Sequence, residues 1–169
     1  GMIVNDGLAR FTSSASGKWA GTTHVFPGDF NGDGRSDVLA YDRPNGAWSM
    51  ARNTGIGFTT QQNGSWQSNL AITVGDVDAD GDDDIVTYDA GSGRWSMQIS
   101  GADRWSAGPG GSWAAHWDIV PADFNGDDKL DLFLYYSAVG QWARALNTGT
   151  GFTLEEESGI RGWRSWRRN

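Results

Sequence analysis

The chain has 169 residues, of which 38% are hydrophobic and ten are tryptophan, and this composition allows one domain with a substantial core. The formal net charge of −8 argues against nucleic acid as a partner, and the absence of cysteine excludes a disulfide framework and a zinc site built from thiolates. No apolar run approaches the roughly 18 residues of a membrane-spanning helix, and the first residues, GMIVNDGLAR, lack the pattern of a secretory signal. The chain is therefore expected to be either cytoplasmic or the mature, trimmed form of a longer product.

A repeat of 47 residues organises the chain. The segments DFNGDGRSD, DVDADGDDD and DFNGDDKLD begin at residues 29, 76 and 123. Aromatic residues recur at the same interval in four columns: Trp19, Trp66 and Trp113; Tyr41, Tyr88 and Tyr135; Trp48, Trp95 and Trp142; Phe58, Trp105 and Phe152. We therefore interpret residues 1–169 as a single repeat domain, with whole repeats at 19–65, 66–112 and 113–159 and partial repeats at 1–18 and 160–169.

The predicted elements are short strands. The partial repeat at 1–18 corresponds to the second half of a repeat and is predicted to supply two outer strands. Each whole repeat contains one strand before the acidic segment, one at VLAYD, IVTYD or LFLYY, one at WSMAR, WSMQI or WARAL, and one after a glycine-rich turn such as NTGIGF. The partial repeat at 160–169 corresponds to the beginning of a repeat and is predicted to supply an innermost strand.

These elements predict an all-β fold of β-propeller blades with about four antiparallel strands each, comprising three complete repeats and two partial terminal repeats. A β-trefoil is the alternative, because three repeats of this length would also suit one. The two partial repeats are expected to pair and so hide the open strand edges. This pairing gives either a four-bladed ring with one incomplete blade or, as we favour, a symmetric homo-oligomer in which two chains exchange their ends.

The three acidic segments, called the acidic loops below, share the spacing D-x-[DN]-x-D-[GD]-x-x-D. Side chains with oxygen ligands stand at positions one, three, five and nine, and the backbone carbonyl of position seven supplies another ligand. In the order one, three, five, seven and nine, the candidate metal residues are Asp29, Asn31, Asp33, Arg35 and Asp37; Asp76, Asp78, Asp80, Asp82 and Asp84; and Asp123, Asn125, Asp127, Lys129 and Asp131. Because calcium takes about six to eight oxygen ligands at irregular angles, the loops predict two or three Ca²⁺ ions per chain.

An EF-hand is the obvious alternative for this spacing. Its bidentate glutamate at position twelve is missing, because that position holds Ala40, Thr87 and Leu134. Helices flank the loop of an EF-hand, whereas predicted strands flank the acidic loops. The spacing therefore indicates a calcium loop that joins two strands.

With strands on both sides of each acidic loop, the repeat resembles the FG-GAP, or VCBS, family of integrin α-subunit propellers. The resemblance covers nearly the whole chain, and it implies a calcium loop between the first two strands of each blade. Asp128 departs from the pattern, because it stands where Gly34 and Gly81 make the sharp turn of the other two loops. The order of loop, strand, G-x-W turn and N-T-G-x-G-F is also similar, more loosely, to calcium-binding propeller lectins of fungi and bacteria.

A column of tryptophans follows the turn in each repeat. Trp48, Trp95 and Trp142 are candidate ligand-binding residues, because an aromatic face stacks on the apolar face of a sugar ring. Packing between blades is the alternative role, since the same large ring at the same place in every repeat also suits a core.

Catalysis is not expected. His24 and His116 occupy different positions of the repeat, neither lies in a hydrolase-like pattern, and 13 of the 21 acidic residues are in the acidic loops, which leaves few carboxylates for acid–base work. The sequence therefore predicts a secreted or extracellular calcium-binding recognition module that binds carbohydrate. The alternative is a structural or protein-interaction propeller, or an accessory domain of a secreted enzyme, in which calcium is purely structural.

Overall fold

The computed structural model describes residues 2–5, 11–15, 18–101 and 104–155, and its regular structure there is entirely β-strand. The strands are β1 (Met2–Asn5), β2 (Phe11–Ala15), β3 (Thr23–Gly28), β4 (Asp37–Asp42), β5 (Ala47–Asn53), β6 (Phe58–Ser65), β7 (Ala71–Gly75), β8 (Asp84–Tyr88), β9 (Arg94–Ile99), β10 (Ser106–Ser112), β11 (Asp118–Ala122), β12 (Asp131–Tyr136), β13 (Gln141–Asn147) and β14 (Phe152–Glu155). Within these residues, no helix has the length and apolar character needed to cross a membrane.

Twelve of the strands form three antiparallel sheets of four, each sheet running in chain order. We call β3–β6 the first blade, β7–β10 the second blade and β11–β14 the third blade. Neighbouring blades approach one another along their first strands, because β7 lies next to both β3 and β11. The predicted all-β fold of four-stranded propeller blades is confirmed.

The second strand of each blade is the most buried one. All five residues of β8, DIVTY, are buried, and Leu39, Ile85 and Leu132, on β4, β8 and β12, are each 0% exposed. Both faces of such a strand pack against other elements, so its sequence is a nearly continuous run of β-branched, aliphatic and aromatic residues. Each fully buried side chain of this size stabilises the fold by about 1.5–3 kcal/mol.

The hydrophobic cores lie between the blades. One cluster joins Phe30, Leu39 and Met50 of the first blade to Ile85 and Trp105 of the second blade. The other extends from the second blade into the third and includes Tyr88, Trp95, Trp117 and Leu134. Packing of one sheet face on the next therefore accounts for the recurrence of large side chains at the repeat interval.

A buried tyrosine bridges each of the first two blades to the linker that follows it. The Tyr41 hydroxyl donates to the Gln67 carbonyl at 2.6 Å and accepts from the Leu70 N–H at 3.1 Å. Tyr88 repeats this arrangement with the Ala114 carbonyl, at 2.9 Å, and the Trp117 N–H, at 3.2 Å. These bonds satisfy backbone groups that would otherwise be buried without partners.

The G-x-W turns require glycine where the next linker crosses them. Gly93 has φ of +76°, and a Cβ there would lie 2.1 Å from the carbonyl oxygen of Trp113. Its own carbonyl accepts a hydrogen bond from the Trp113 N–H at 2.9 Å. The turn is thus also a contact between one blade and the linker to the next.

The first partial repeat contains the antiparallel pair β1 and β2, with Met2 opposite Ala15 and Asn5 opposite Phe11. The innermost strand predicted for residues 160–169 falls outside the described residues. The three four-stranded sheets lie within the predicted repeats 19–65, 66–112 and 113–159.

Candidate functional site

Each acidic loop joins the first two strands of a blade: β3 to β4, β7 to β8, and β11 to β12. The three loops therefore lie at the same end of their sheets. This placement agrees with the loop position that the FG-GAP resemblance implies.

The aspartate at position one organises the backbone of its own loop. Asp29 accepts hydrogen bonds from the N–H groups of Asp33, at 3.2 Å, and Gly34, at 2.7 Å. Asp76 accepts from Ala79 and Gly81, and Asp123 accepts from Asn125, Gly126 and Asp128. In the third loop, the N–H of Gly126 contributes most to lowering the pKa of Asp123, because it stabilises the carboxylate form.

The aspartate at position nine is completely buried in all three loops, with Asp37, Asp84 and Asp131 each 0% exposed. One oxygen of Asp84 accepts hydrogen bonds from the Ser100 N–H at 2.7 Å and the Ser100 hydroxyl at 2.8 Å. Its other oxygen accepts from the Val77 N–H at 2.8 Å. The carboxylate therefore ties the start of the loop to the end of the third strand.

The equivalent residues act in the same way in the other blades. Asp37 accepts from the Asn53 N–H at 2.7 Å, and Asp131 accepts from the Asn147 N–H at 2.7 Å. Burial raises the pKa of Asp37 and of Asp84, and the hydrogen bonds that each accepts only partly oppose this. A cation beside these carboxylates would offset the cost of keeping them charged.

Positions five and seven distinguish the second loop from the other two. In the first loop, Arg35 at position seven forms an exposed ion pair with Asp33 at 3.0 Å, and in the third loop Lys129 pairs with Asp127 at 3.3 Å. Exposed ion pairs of this kind contribute little stability, about 0–1 kcal/mol. Because position seven would bind a metal through its backbone carbonyl, its side chain can vary among the loops. The second loop has Asp82 at this position, so it carries no counter-charge of its own.

Three carboxylates of the second loop converge. Asp76, Asp78 and Asp84 each offer an oxygen atom, and these oxygens lie within 4.8 Å of one another. Burial, followed by repulsion from Asp80, raises the pKa of Asp78. A hard divalent cation suits this donor set, because carboxylate oxygens are the ligands that Ca²⁺ prefers and its charge would relieve their repulsion.

The other predicted ligands lie nearby with different partners. Asp80 accepts a hydrogen bond from the Asp82 N–H, and burial raises the pKa of Asp82. Asn31 donates from Nδ2 to Asp37 at 2.6 Å, and the Asn125 side-chain oxygen accepts from the Asp127 N–H at 2.9 Å.

Asp128 adopts the glycine conformation that the sequence pattern calls for. Its φ is +64°, compared with +80° for Gly34 and +96° for Gly81. Aspartate tolerates this left-handed region better than most residues with a side chain. The third loop therefore keeps the turn, with one additional carboxylate.

Hydrogen bonds connect each acidic loop to the next. The Asp83 N–H donates to the Asp29 carbonyl at 2.8 Å, and the Asp29 N–H donates to the Asp83 carboxylate at 2.8 Å. Between the second and third loops, the Leu130 N–H donates to the Asp76 carbonyl at 2.7 Å. Leucine has no carboxylate, so this second connection lacks the returning bond.

Two of the candidate sugar-stacking tryptophans, Trp48 and Trp95, lie at the seams between blades. Trp48 is half-buried and stacks on Trp66 with ring centroids 4.9 Å apart, and Trp95 is 8% exposed and stacks on Trp113 at 5.3 Å. Trp142 is half-buried and stacks on Phe133 of its own blade at 5.5 Å. All three rings therefore contribute to packing, and Trp95 is too enclosed to offer a whole ring face.

A cleft of about 570 Å³ lies where the linker from the first blade meets the second blade. Its wall combines the aromatic residues Trp66 and Trp95 with polar side chains, namely Gln67, Thr87, Asp89, Arg94, Ser96 and Ser112. The Asp89 carboxylate accepts from Ser92 Oγ at 2.5 Å, Gln67 Nε2 at 2.7 Å and the Gly91 N–H at 2.9 Å, and these bonds lower its pKa.

Sequence reasoning missed this cleft. The sequence feature that could have indicated the cleft is the polar pair Thr87 and Ser96, whose hydroxyls lie 2.8 Å apart on neighbouring strands. The third repeat has Leu134 and Ala143 at these positions.

Comparison with known proteins supports the fold and the repeat. Residues 29–87 match the family model described as FG-GAP-like repeat. No curated protein matches the sequence. A solved structure of a lectin from Agrocybe aegerita, described by its specific recognition of non-reducing terminal N-acetylglucosamine, is 20% identical and superposes with a TM-score of 0.66 over 94% of this chain and 47% of that chain. The chain thus spans about half the length of that lectin, and its segment 29–87 resembles FG-GAP repeats within a fold similar to a propeller lectin.

Proposed function

We propose that this protein is a calcium-stabilised β-propeller module that recognises carbohydrate, without catalysis, in the cleft between the first and second blades. The single observation that carries the proposal is the composition of the cleft wall, which places two tryptophans beside a carboxylate, a guanidinium and several hydroxyls. Its volume falls in the range of about 300–1,000 Å³ that is usual for small-molecule sites.

Sugars need this combination of groups. The C–H groups of a pyranose pack on aromatic surface, here the half-buried Trp66 and the small exposed part of Trp95. Its hydroxyls exchange hydrogen bonds with charged and polar side chains. Arg94 is exposed and offers several donors, while Asp89 accepts hydrogen bonds. The buried Nε1 of Trp95 has no acceptor among the described residues, so a water or a ligand hydroxyl would satisfy it.

The corresponding position of the next seam is apolar. Trp117 replaces Leu70 there and is 9% exposed, and Leu134 and Ala143 replace Thr87 and Ser96 and are each 0% exposed. We therefore assign recognition to one cleft in the described part of the chain rather than to every seam. Within the predicted column of Trp48, Trp95 and Trp142, only Trp95 lines this cleft, and a ligand role for the column stays a prediction.

Calcium is proposed to stabilise the fold without touching the sugar. Asp84 is the first residue of β8, and Asp89 follows the last residue of the same strand. Five residues of extended strand span about 16 Å at ~3.3 Å per residue. Two or three ions in the acidic loops would therefore bind at the opposite end of the strand from the cleft.

A glycan array probed with the calcium-loaded protein tests the proposal, and it should include glycans that end in N-acetylglucosamine. We expect one class of sugar to bind, and binding should fall at least tenfold in Arg94→Gln and in Asp89→Asn. Arg144→Gln is the matched control, because Arg144 pairs with Glu155 in the third blade at 2.8 Å and should leave binding unchanged. Absence of binding to every glycan by folded, calcium-loaded protein would reject carbohydrate recognition.

A structural or protein-interaction propeller, or an accessory domain of a secreted enzyme, is the second candidate. The observation that favours it is the exposed aromatic surface of the terminal blades, which includes Trp19 at 55% exposure and Tyr135 at 40%. A secreted or extracellular location is part of both proposals and rests on the FG-GAP resemblance. An export assay on the gene product in its native host would test it.

A further inference from the structure

The seam between adjacent blades has a fixed composition that occurs twice in the part of the chain that the structure describes. A tryptophan on the third strand of one blade contacts a linker tryptophan and an aromatic residue at, or just before, the start of the outer strand of the following blade. Trp48 meets Trp66 at 4.9 Å and Trp105 at 5.2 Å. Trp95 meets Trp113 at 5.3 Å and Phe152 at 5.2 Å.

The third blade presents the first half of such a seam to solvent. Trp142 occupies the place of Trp48 and Trp95, and Phe133 of the same sheet is its described aromatic partner. Tyr135 and Phe124 are 40% and 37% exposed, whereas their equivalents in the other blades, Tyr41, Tyr88, Phe30 and Val77, are at most 1% exposed. We call Phe124, Phe133, Tyr135 and Trp142 the third-blade face.

The first blade presents the second half. Trp19 occupies the place of the linker residues Trp66 and Trp113 and is 55% exposed. Phe58 occupies the place of Trp105 and Phe152 and is 40% exposed, compared with 6% for Trp105. We call Trp19 and Phe58 the first-blade face.

The polar bonds of the seam are also incomplete at this end. In the other blades, a tyrosine hydroxyl bridges a carbonyl and an N–H of the following linker. In the first blade, the equivalent groups bond to each other instead, since the Thr23 N–H donates to the Ala20 carbonyl at 3.1 Å. Tyr135 is the tyrosine that would complete this bridge.

We infer that the third-blade face of one copy of this chain packs against the first-blade face of a second copy, which repeats the internal seam across a subunit boundary. The two faces are different surfaces with complementary composition, so the contact is head to tail. Two copies supply six whole blades, which is within the usual range of about four to eight for a closed ring.

Light scattering of the full calcium-loaded chain at micromolar concentration tests the inference. We expect about twice the chain mass of 18.3 kDa. Trp19→Glu and Tyr135→Glu should each give the mass of one chain, because each places a charge in one face of the seam. Ser106→Glu is the matched control: Ser106 is exposed on β10 of the second blade, lies outside both faces, and should keep the double mass.

Mixing the two single variants distinguishes a head-to-tail contact from a symmetric one. Trp19→Glu keeps the third-blade face and Tyr135→Glu keeps the first-blade face, so an equal mixture should regain the double mass through one intact seam. A single-chain mass for the unaltered protein, or a double mass for Trp19→Glu alone, would overturn the inference. A mixture that stays at the single-chain mass would overturn the head-to-tail arrangement, provided that thermal melting shows both variants folded.

Discussion

Replacing Asp84 by alanine separates the structural role of an acidic loop from its metal-binding role. The carboxylate accepts hydrogen bonds from the N–H groups of Val77 and Ser100 and from the Ser100 hydroxyl, in a site that is 0% exposed. Alanine leaves these three donors buried without an acceptor, at about 1–3 kcal/mol for each. Burial raises the pKa of Asp84, so the charged carboxylate has a cost that its removal relieves. We therefore expect a loss of stability in the lower part of the range obtained by adding the three donors.

The expected loss is about 3–5 kcal/mol in chelator. For a protein of this size, about 2–4 °C of melting temperature corresponds to each kcal/mol, so melting should fall by about 6–20 °C. Asp84→Asn keeps one acceptor oxygen and should lose about half as much. Asp78→Ala is the matched control, because Asp78 belongs to the same carboxylate cluster but is exposed.

Differential scanning calorimetry with and without calcium makes the comparison. Both alanine variants should lose the part of the calcium-dependent rise in melting temperature that the second loop contributes by mass action. Only Asp84→Ala should also melt lower in chelator. If Asp84→Ala melts within about 2 °C of the unaltered protein in chelator, the stabilising role assigned to the buried carboxylate is wrong. If calcium raises the melting temperature of neither the variants nor the unaltered protein, the metal proposal fails.

Three further predictions follow from single positions. Tyr88→Phe should lose about 1–3 kcal/mol in urea unfolding, because it leaves the Ala114 carbonyl and the Trp117 N–H unpaired, and an unchanged unfolding midpoint would contradict this. Gly93→Ala should be clearly more destabilising than Gly149→Ala in the same assay, since both have positive φ but only the first places a Cβ against a carbonyl, at 2.1 Å; equal losses would contradict this. Because the pKa of Asp89 is lowered in the folded state, its contribution to stability is full above the unfolded-state pKa and is lost as pH falls through the folded-state pKa. Asp89→Asn should therefore flatten that part of the acid unfolding profile.

The repeat made the fold predictable, because a column of residues at a fixed interval reports strand order and packing without any knowledge of tertiary contacts. The acidic loops were equally accessible, since their ligands are close in sequence. The hydrogen bond that the Ser100 N–H donates to the buried Asp84 carboxylate was not predictable, because it joins residues 16 positions apart through the register of two strands. The cleft was less accessible still, since Gln67 and Asp89 are 22 positions apart and their contact depends on how the linker folds back on the second blade.

The reciprocal bonds between Asp29 and Asp83 join the first two acidic loops directly. The third loop is joined to the second by the bond from the Leu130 N–H and by Asn147, whose Nδ2 donates to the carbonyls of Val77 and Leu130 at 2.6 and 3.2 Å. Local opening of a protein follows the weakest of its contacts. Because both junctions between loops hold more than one connection, the amide hydrogens of the three loops should lose protection from exchange together as calcium is withdrawn.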